Sequence, residues 1–528
     1  MALSISTNFH RQSTEIVRQG AISGESQRQR YASFSCYAYW LMSNHASRPT
    51  WNSPRTSSIH ILDDDSLLHV FYLYRPFIFG EDQNEDAYIW GGDERWIGEH
   101  WWYMLAHVCQ RWRKVLLGSA SYLELSLVCT NGTPVADMLA HSPPLPLLID
   151  FGDNGTEDEE GIILAFKQRD RVRRVRLDFP ITSLQKIIGG IEDEYPILEY
   201  MNIAESNEDT HTLLTFPETF RAPHLRHIML KGFTLPIGSR LLTNAVGLVT
   251  LYLIIDHPPT YFHPNTLLQW LSFMPQLETL GIFFLFPIRE HDVPSQLTHT
   301  PTIIPVTLPN LHRFTFQGVS TYLEALLDWI ATPRLEKYEV IFSYQFTFLV
   351  PRLLQSISPT VNLMFDSARF NFSGEDVNVA FSLGDDFEMY VVGIMVECWP
   401  LDTQVSSVAQ IFNFPSQMFS ALEHLTLKHE EQEHSLLSEE HNEVDRTEWR
   451  RLLSPFSNVK TLLIIDGLVE ELSRCLQLED GEDCLELLPE LQELRYSGRG
   501  NTGGAFNSFI NARQNAGRPV NLVLNQDP

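Results

Sequence analysis

Ten times between Val172 and Tyr496, an apolar residue is followed by two more, three and five positions further on. The first five triplets are Val172/Val175/Leu177, Leu198/Met201/Ile203, Leu225/Ile228/Leu230, Leu248/Leu251/Leu253 and Leu277/Leu280/Ile282. The others are Leu311/Phe314/Phe316, Leu335/Tyr338/Val340, Leu422/Leu425/Leu427, Val459/Leu462/Ile464 and Leu491/Leu494/Tyr496. Strand residues alternate faces, so positions 4 and 6 turn inward together while position 5 turns the other way. Such a strand covers one side of a core, and its chain neighbours must cover the rest. Pro196, Pro223, Pro275, Pro309, Pro333 and Pro489 each stand two residues before a first position, where proline ends a helix and extends the chain. Helix-like stretches lie between, such as Thr266–Met274, with Leu267, Trp270, Leu271 and Met274 on one side, and Thr321–Ile330. The pattern predicts a stack of strand–helix units.

First positions are spaced by 26, 27, 23, 29, 34, 24, 87, 37 and 32 residues. Leucine-rich repeats have periods of about 20–29 residues, so these are ordinary or lengthened units. The 87-residue gap is expected to conceal divergent units near Val361–Phe365, Val377–Leu383 and Tyr390–Met395, and Tyr122–Leu127 and Leu145–Phe151 read as degenerate starting strands. The slot of the usual asparagine ladder holds Phe233, Asp256 and Leu285, so the repeats are irregular. Position 5 carries Met229, Tyr252, Gly281, Thr315, Glu339, Thr426, Leu463 and Arg495. Met229, Tyr252, Thr315, Glu339 and Arg495 are the candidates for holding a protein target. Tyr252 beside Met229 is the best anchor, because aromatic side chains dominate interface energies.

Ahead of the repeats stand two helical segments. The first opens with Asp64, Asp65 and Ser66, good capping residues, before Leu68, Phe71 and Tyr72 at i, i+3, i+4. The second is predicted as one helix over Trp101–Leu117, with Trp102, Leu105, Cys109, Trp112 and Leu116 on one face and Arg111, Arg113 and Lys114 off it. This pair resembles an F-box. Leu62-Asp63-Asp64-Asp65-Ser66-Leu67-Leu68-His69-Val70-Phe71 stands for the opening pattern, with Asp63 where proline is usual. Leu105-Ala106-His107-Val108-Cys109-Gln110-Arg111-Trp112-Arg113 stands for the closing one, and an insertion at 76–100 separates the halves. Taken with the repeats, the chain is similar to F-box proteins carrying leucine-rich repeats, especially the large families of mushroom-forming fungi. Met274–Leu280, Leu308–Phe314 and Gly318–Leu327 carry that likeness.

The resemblance implies an α/β protein: a helical F-box-like module at 56–120, then an irregular leucine-rich-repeat solenoid at 121–497, with parallel strands on one face and helices on the other. Residues 1–55 read as a mostly disordered tail and 498–528 as a flexible one. It further implies a non-catalytic substrate receptor of a cullin-based ubiquitin ligase, which binds the Skp adaptor and through it cullin. Leu62, Leu67, Leu68, Val70, Phe71, Val108 and Trp112 would form the adaptor contact and local core. The alternative is a leucine-rich-repeat scaffold that acts without the ligase.

Charge and composition narrow the partners. Lys+Arg 38 against Asp+Glu 66 gives a net charge of −28, a field that repels nucleic acid. Six cysteines without a Cys-x-x-Cys pair suit reduced thiols in cytoplasm or nucleus. No secretory leader is legible at Met1–Glu15, and apolar runs such as Gly281–Phe286 are too short for a bilayer, so no membrane role is expected. The run Lys428–His434 with His441 spaces its histidines wrongly for a zinc-protease helix and reads as a solvated acidic loop. Gly498–Gly504 lacks a P-loop ending. Neither a catalytic constellation, nor a cofactor, nor a metal site is expected.

Overall fold

In the computed structural model, none of the thirty residues in the ten triplets is more than 4 % exposed. The structure describes residues 62–75, 101–130, 134–152, 158–191, 194–206, 214–288, 305–357, 364–384, 390–413, 419, 421–429, 444–477, 486–497 and 504–524. The expected tail at 1–55 and the insertion at 76–100 lie outside them. The protein is mixed α/β, and the chain divides into two units, Met1–Glu192 and Asp193–Pro528.

The first unit begins with helices α1 (Asp64–Tyr74), α2 (Trp101–Ala106) and α3 (Gln110–Gly118). It continues through β1 (Leu127–Thr130), α4 (Val135–His141), β2 (Leu147–Phe151), α5 (Glu159–Phe166), β3 (Val172–Phe179) and α6 (Ile181–Gly189). The three strands are parallel, in the order β1-β2-β3. Two expectations are corrected here. The single helix over Trp101–Leu117 is two helices, because Cys109 is extended (φ −160°, ψ 167°) and its Sγ accepts the Trp112 N–H at 3.5 Å. That bond satisfies one of the amides a helix start leaves open, so a second helix begins there while the apolar stripe continues. Strand β1 starts at Leu127 rather than Tyr122, since Glu124 sits at φ +52° and breaks the extended backbone.

The second unit holds β4 (Tyr200–Glu205), β5 (Leu214–Thr215), β6 (His227–Lys231), β7 (Phe233–Thr234), β8 (Thr250–Ile255), β9 (Thr279–Phe284) and β10 (Val306–Thr307). Next come β11 (Arg313–Gly318), β12 (Ile330–Ala331), β13 (Lys337–Phe342), β14 (Ser367–Phe372), β15 (Asp376–Ser382) and β16 (Val392–Glu397). The last are β17 (His424–His429), β18 (Thr461–Asp466), β19 (Glu493–Ser497) and β20 (Asn521–Leu524). Helices α7 (Arg240–Thr243), α8 (Pro264–Leu271), α9 (Ser320–Leu327), α10 (Pro351–Ser356), α11 (Leu401–Phe412), α12 (Arg446–Leu453), α13 (Val469–Leu476) and α14 (Asn507–Asn515) lie between them. The main sheet runs β4-β6-β8-β9-β11-β13-β16-β15-β14-β17-β18-β19-β20 and is parallel except across β16-β15-β14.

A repeating backbone bond takes the place of the missing asparagine ladder. The carbonyl at position 2 of one unit accepts both the second and third amides of the next unit. Glu199 O takes Arg226 and His227 N–H at 2.9 and 3.1 Å, Arg226 O takes Val249 and Thr250, and Val249 O takes Glu278 and Thr279. Glu423 O and Lys460 O do the same further along. Main-chain groups that would otherwise be buried unpaired are thereby satisfied without any particular side chain.

The long gap does not hold three more repeat units. β14, β15 and β16 form an antiparallel meander, because a three-residue link from Phe372 to Asp376 cannot carry a parallel crossover. Residues 361–363 lie outside the described residues. One unit does lie there, starting at the end of the stretch Val361–Phe365: Phe365/Ala368/Phe370 is buried, and Asp366 O accepts the Glu423 and His424 amides in the repeating manner. The flexible tail at 498–528 is also corrected. Within it α14 packs Phe506 and Phe509 inward, and β20 pairs parallel with β19. The fully buried Arg513 donates to Pro489 O at 2.9 Å and Leu491 O at 3.1 Å.

Candidate functional site

The front helices are built around Leu67 and Phe71, both wholly buried on one side of α1, with the Phe71 ring edge-on to Trp112 at 5.1 Å. Asp63, rather than Asp64–Ser66, caps α1: its carboxylate accepts the Ser66 N–H at 2.7 Å, and that bond holds its pKa below the usual carboxylate value. The residue standing where proline is usual is therefore the helix start. Arg111 reaches back from α3 to the Asp64 carboxylate at 2.9 Å and to the Leu62 carbonyl, tying α3 to the beginning of α1. The Trp102 indole donates to Ser126 O at 3.1 Å.

The seven predicted adaptor residues thus separate into two groups. Leu67 and Phe71 are internal, and Leu68 and Trp112 are half-buried. Leu62, Val70 (46 %) and Val108 (58 %) are exposed. Sequence reasoning missed their exposed companions Tyr72, Leu73 (68 %), Tyr74 and Met104 (67 %). Their signal was present, since an α1 this apolar has more hydrophobic residues than one inward face can hold. Exposed apolar sets beside a filled inner face are a common feature of protein–protein contact surfaces.

In the second unit the position-5 residues form one register row. Asn202, Met229, Tyr252, Gly281, Thr315, Glu339 and Gly393 stand opposite one another in turn across β4 to β16. The row continues through Ala380, Arg369, Thr426, Leu463 and Arg495. Met229 and Glu339 are half-buried, and Arg495 is exposed and paired with Glu493. Tyr252 is not the exposed anchor that the sequence suggested. It is 4 % exposed, its ring lies over Gly281, and it stacks on Phe283 with centroids 6.2 Å apart. A Cβ at Gly281 would stand 2.2 Å from Tyr252 Cδ1, so the glycine is what lets the ring lie down. Thr315 is buried as well. Glu339 instead accepts the Tyr390 hydroxyl at 2.9 Å, and Lys337 Nζ stands 4.5 Å from the centre of the same ring. Tyr390 precedes β16, at the head of the stretch Tyr390–Met395 that was expected to conceal a divergent unit, and its contact with Glu339 was not foreseen.

Nucleophilic chemistry finds little support in the described thiols. Burial pushes Cys129 up to about 12 and Cys398 up to about 11, the wrong direction for a reactive thiolate. None of Cys109, Cys129, Cys398 and Cys475 is in a disulfide. Residues 430–443, with the histidine run, lie outside the described residues. Among the described residues one group could hold a metal ion, Glu205, Asp256 and His257, and it was not foreseen.

No family model matches the sequence, and no curated protein matches it. Among the described residues no helix is long and apolar enough to cross a membrane.

Proposed function

We propose that the protein is the substrate-recognition subunit of a cullin-based ubiquitin ligase. The module at 62–120 docks on the Skp adaptor, and the irregular leucine-rich-repeat array holds a protein target. The chain itself is non-catalytic: it raises the effective concentration of the target near ubiquitin carried by other subunits. The observation that carries this reading is the exposure of Val70 and Leu73 on α1, Met104 on α2 and Val108 in the turn after α2, while Leu67, Phe71, Trp102 and Ala106 fill the inward side. Set beside the Val-Cys-Gln-Arg-Trp string at 108–112, that surface suits a helical adaptor.

The test is calorimetric titration of the full chain with the purified Skp adaptor. Wild type is expected to bind, and Leu73→Asp with Val108→Asp to weaken binding at least tenfold while the melting curve stays put. Failure of wild type to bind the adaptor overturns the proposal.

A further inference from the structure

Strands β4 and β8 flank β6, and just at their C-terminal ends three metal-ligand side chains converge. Glu205 closes β4, and Asp256 and His257 follow β8. One ligand atom from each lies within 4.8 Å of the other two. Glu205 is buried, and Asp256 and His257 are half-buried. Asp256 Oδ1 and His257 Nε2 are themselves shut off from solvent, and neither has a hydrogen-bond partner among the described residues. Buried polar atoms are costly to leave unbonded, and both belong to side chains of the converging group, which points to an unassigned partner there.

The surroundings keep this point open and held. Between the two ligand-bearing strands the chain turns at Gly232, with φ +82°. A Cβ there would stand 2.8 Å from Glu205 Oε2 and 3.1 Å from Glu205 Cβ, so glycine is what leaves the Glu205 side chain its place beside Asp256. On the other side, the Thr260 amide and hydroxyl both donate to His257 O, at 3.0 and 2.6 Å, and fix the turn that presents the imidazole.

We infer that Glu205, Asp256 and His257 bind one divalent transition-metal ion of the zinc class. Two carboxylates and a neutral imidazole supply two negative charges against the ion's two positive ones. An N/O set without sulfur suits zinc or manganese rather than copper(I). Zinc bonds of about 2.0–2.2 Å at tetrahedral angles put ligand atoms roughly 3.3–3.6 Å apart, so the three side chains, now within 4.8 Å of one another, close inward on the bound ion. Three protein ligands leave a fourth position for water, and the bound ion cross-links the ends of β4 and β8. Sequence spacing hides the site, because Glu205 lies far along the chain from Asp256 and His257.

The experiment uses the full chain stripped with a chelator and titrated with zinc chloride by calorimetry. One equivalent is expected at micromolar affinity or better. Asp256→Asn and His257→Gln should each weaken it at least tenfold, while His434→Ala with His441→Ala leaves it unchanged. X-ray absorption of zinc-loaded wild type supplies a reading that no variant's folding can disturb, with a shell of nitrogen and oxygen containing one imidazole. Absence of zinc binding overturns the inference. So does a shell containing sulfur or several imidazoles, or zinc binding lost only in the His434/His441 variant.

Discussion

The strand array and the front helices use their apolar residues in opposite ways. In the array, positions 1, 4 and 6 of every triplet are sealed inside, each unit covering its neighbour. In α1, Leu67 and Phe71 are buried while Val70, Tyr72, Leu73 and Tyr74 face solvent. A repeat array can satisfy its hydrophobic surface by adding units. Three short helices cannot, and the surface they leave over is what a partner can cover. The first region is therefore read as framework and the second as a docking piece.

The largest expected effect comes from removing what closes the array. Deleting residues 504–524 takes away α14, β20 and the buried Arg513, and leaves the edge of β19 unpaired. The truncated chain is expected to melt earlier and to aggregate, as followed by light scattering during a thermal ramp. A deletion that melts like wild type would return this segment to the status of a tail.

Next comes a matched pair of substitutions. Trp270→Ala removes a wholly buried ring whose indole donates to Ile237 O at 3.1 Å, and should cost about 3–5 kcal/mol in a guanidinium titration. Leu73→Ala should stay within about 0.5 kcal/mol of wild type, as is usual for exposed positions. Equal losses for the two would erase the contrast between framework and docking piece.

Much of this contrast was legible in the sequence. Burial of an alternating strand face repeats with the chain, so the triplets announced themselves and their register followed. What escaped was whatever depends on a neighbour far along the chain. Tyr252 reads as an exposed position-5 residue until Gly281, one strand over, is seen to leave its ring room to lie flat. The segment 498–528 read as a tail because it follows the last triplet, whereas Arg513 ties α14 to the carbonyls of Pro489 and Leu491. The helix break at Cys109 was hidden because the apolar stripe crosses it unbroken. Glu205, Asp256 and His257 meet only because β4 and β8 lie either side of β6.

A smaller effect sharpens the account of how units lock together. Glu324 on α9 accepts the Arg352 and Leu353 amides at 2.9 and 2.8 Å, capping α10 from the preceding unit. Glu324→Ala should cost about 1–3 kcal/mol. Burial raises the pKa of this carboxyl, against the pull of those two amides. A raised folded value means that the protonated form favours the fold, so its contribution is fullest below the ordinary value of 4.5 and declines as pH rises through the folded one. Wild type should therefore lose ground to Glu324→Gln between pH 4 and pH 7, read as the difference between their unfolding midpoints. A difference independent of pH would remove the buried-acid explanation.

The division of labour is tested most directly by hydrogen–deuterium exchange on the full chain with and without the Skp adaptor. The account predicts slowed exchange confined to 62–75 and 101–122, with the strands of the array unchanged. Slowed exchange along the strands β4 to β19, with none in α1 to α3, would contradict it.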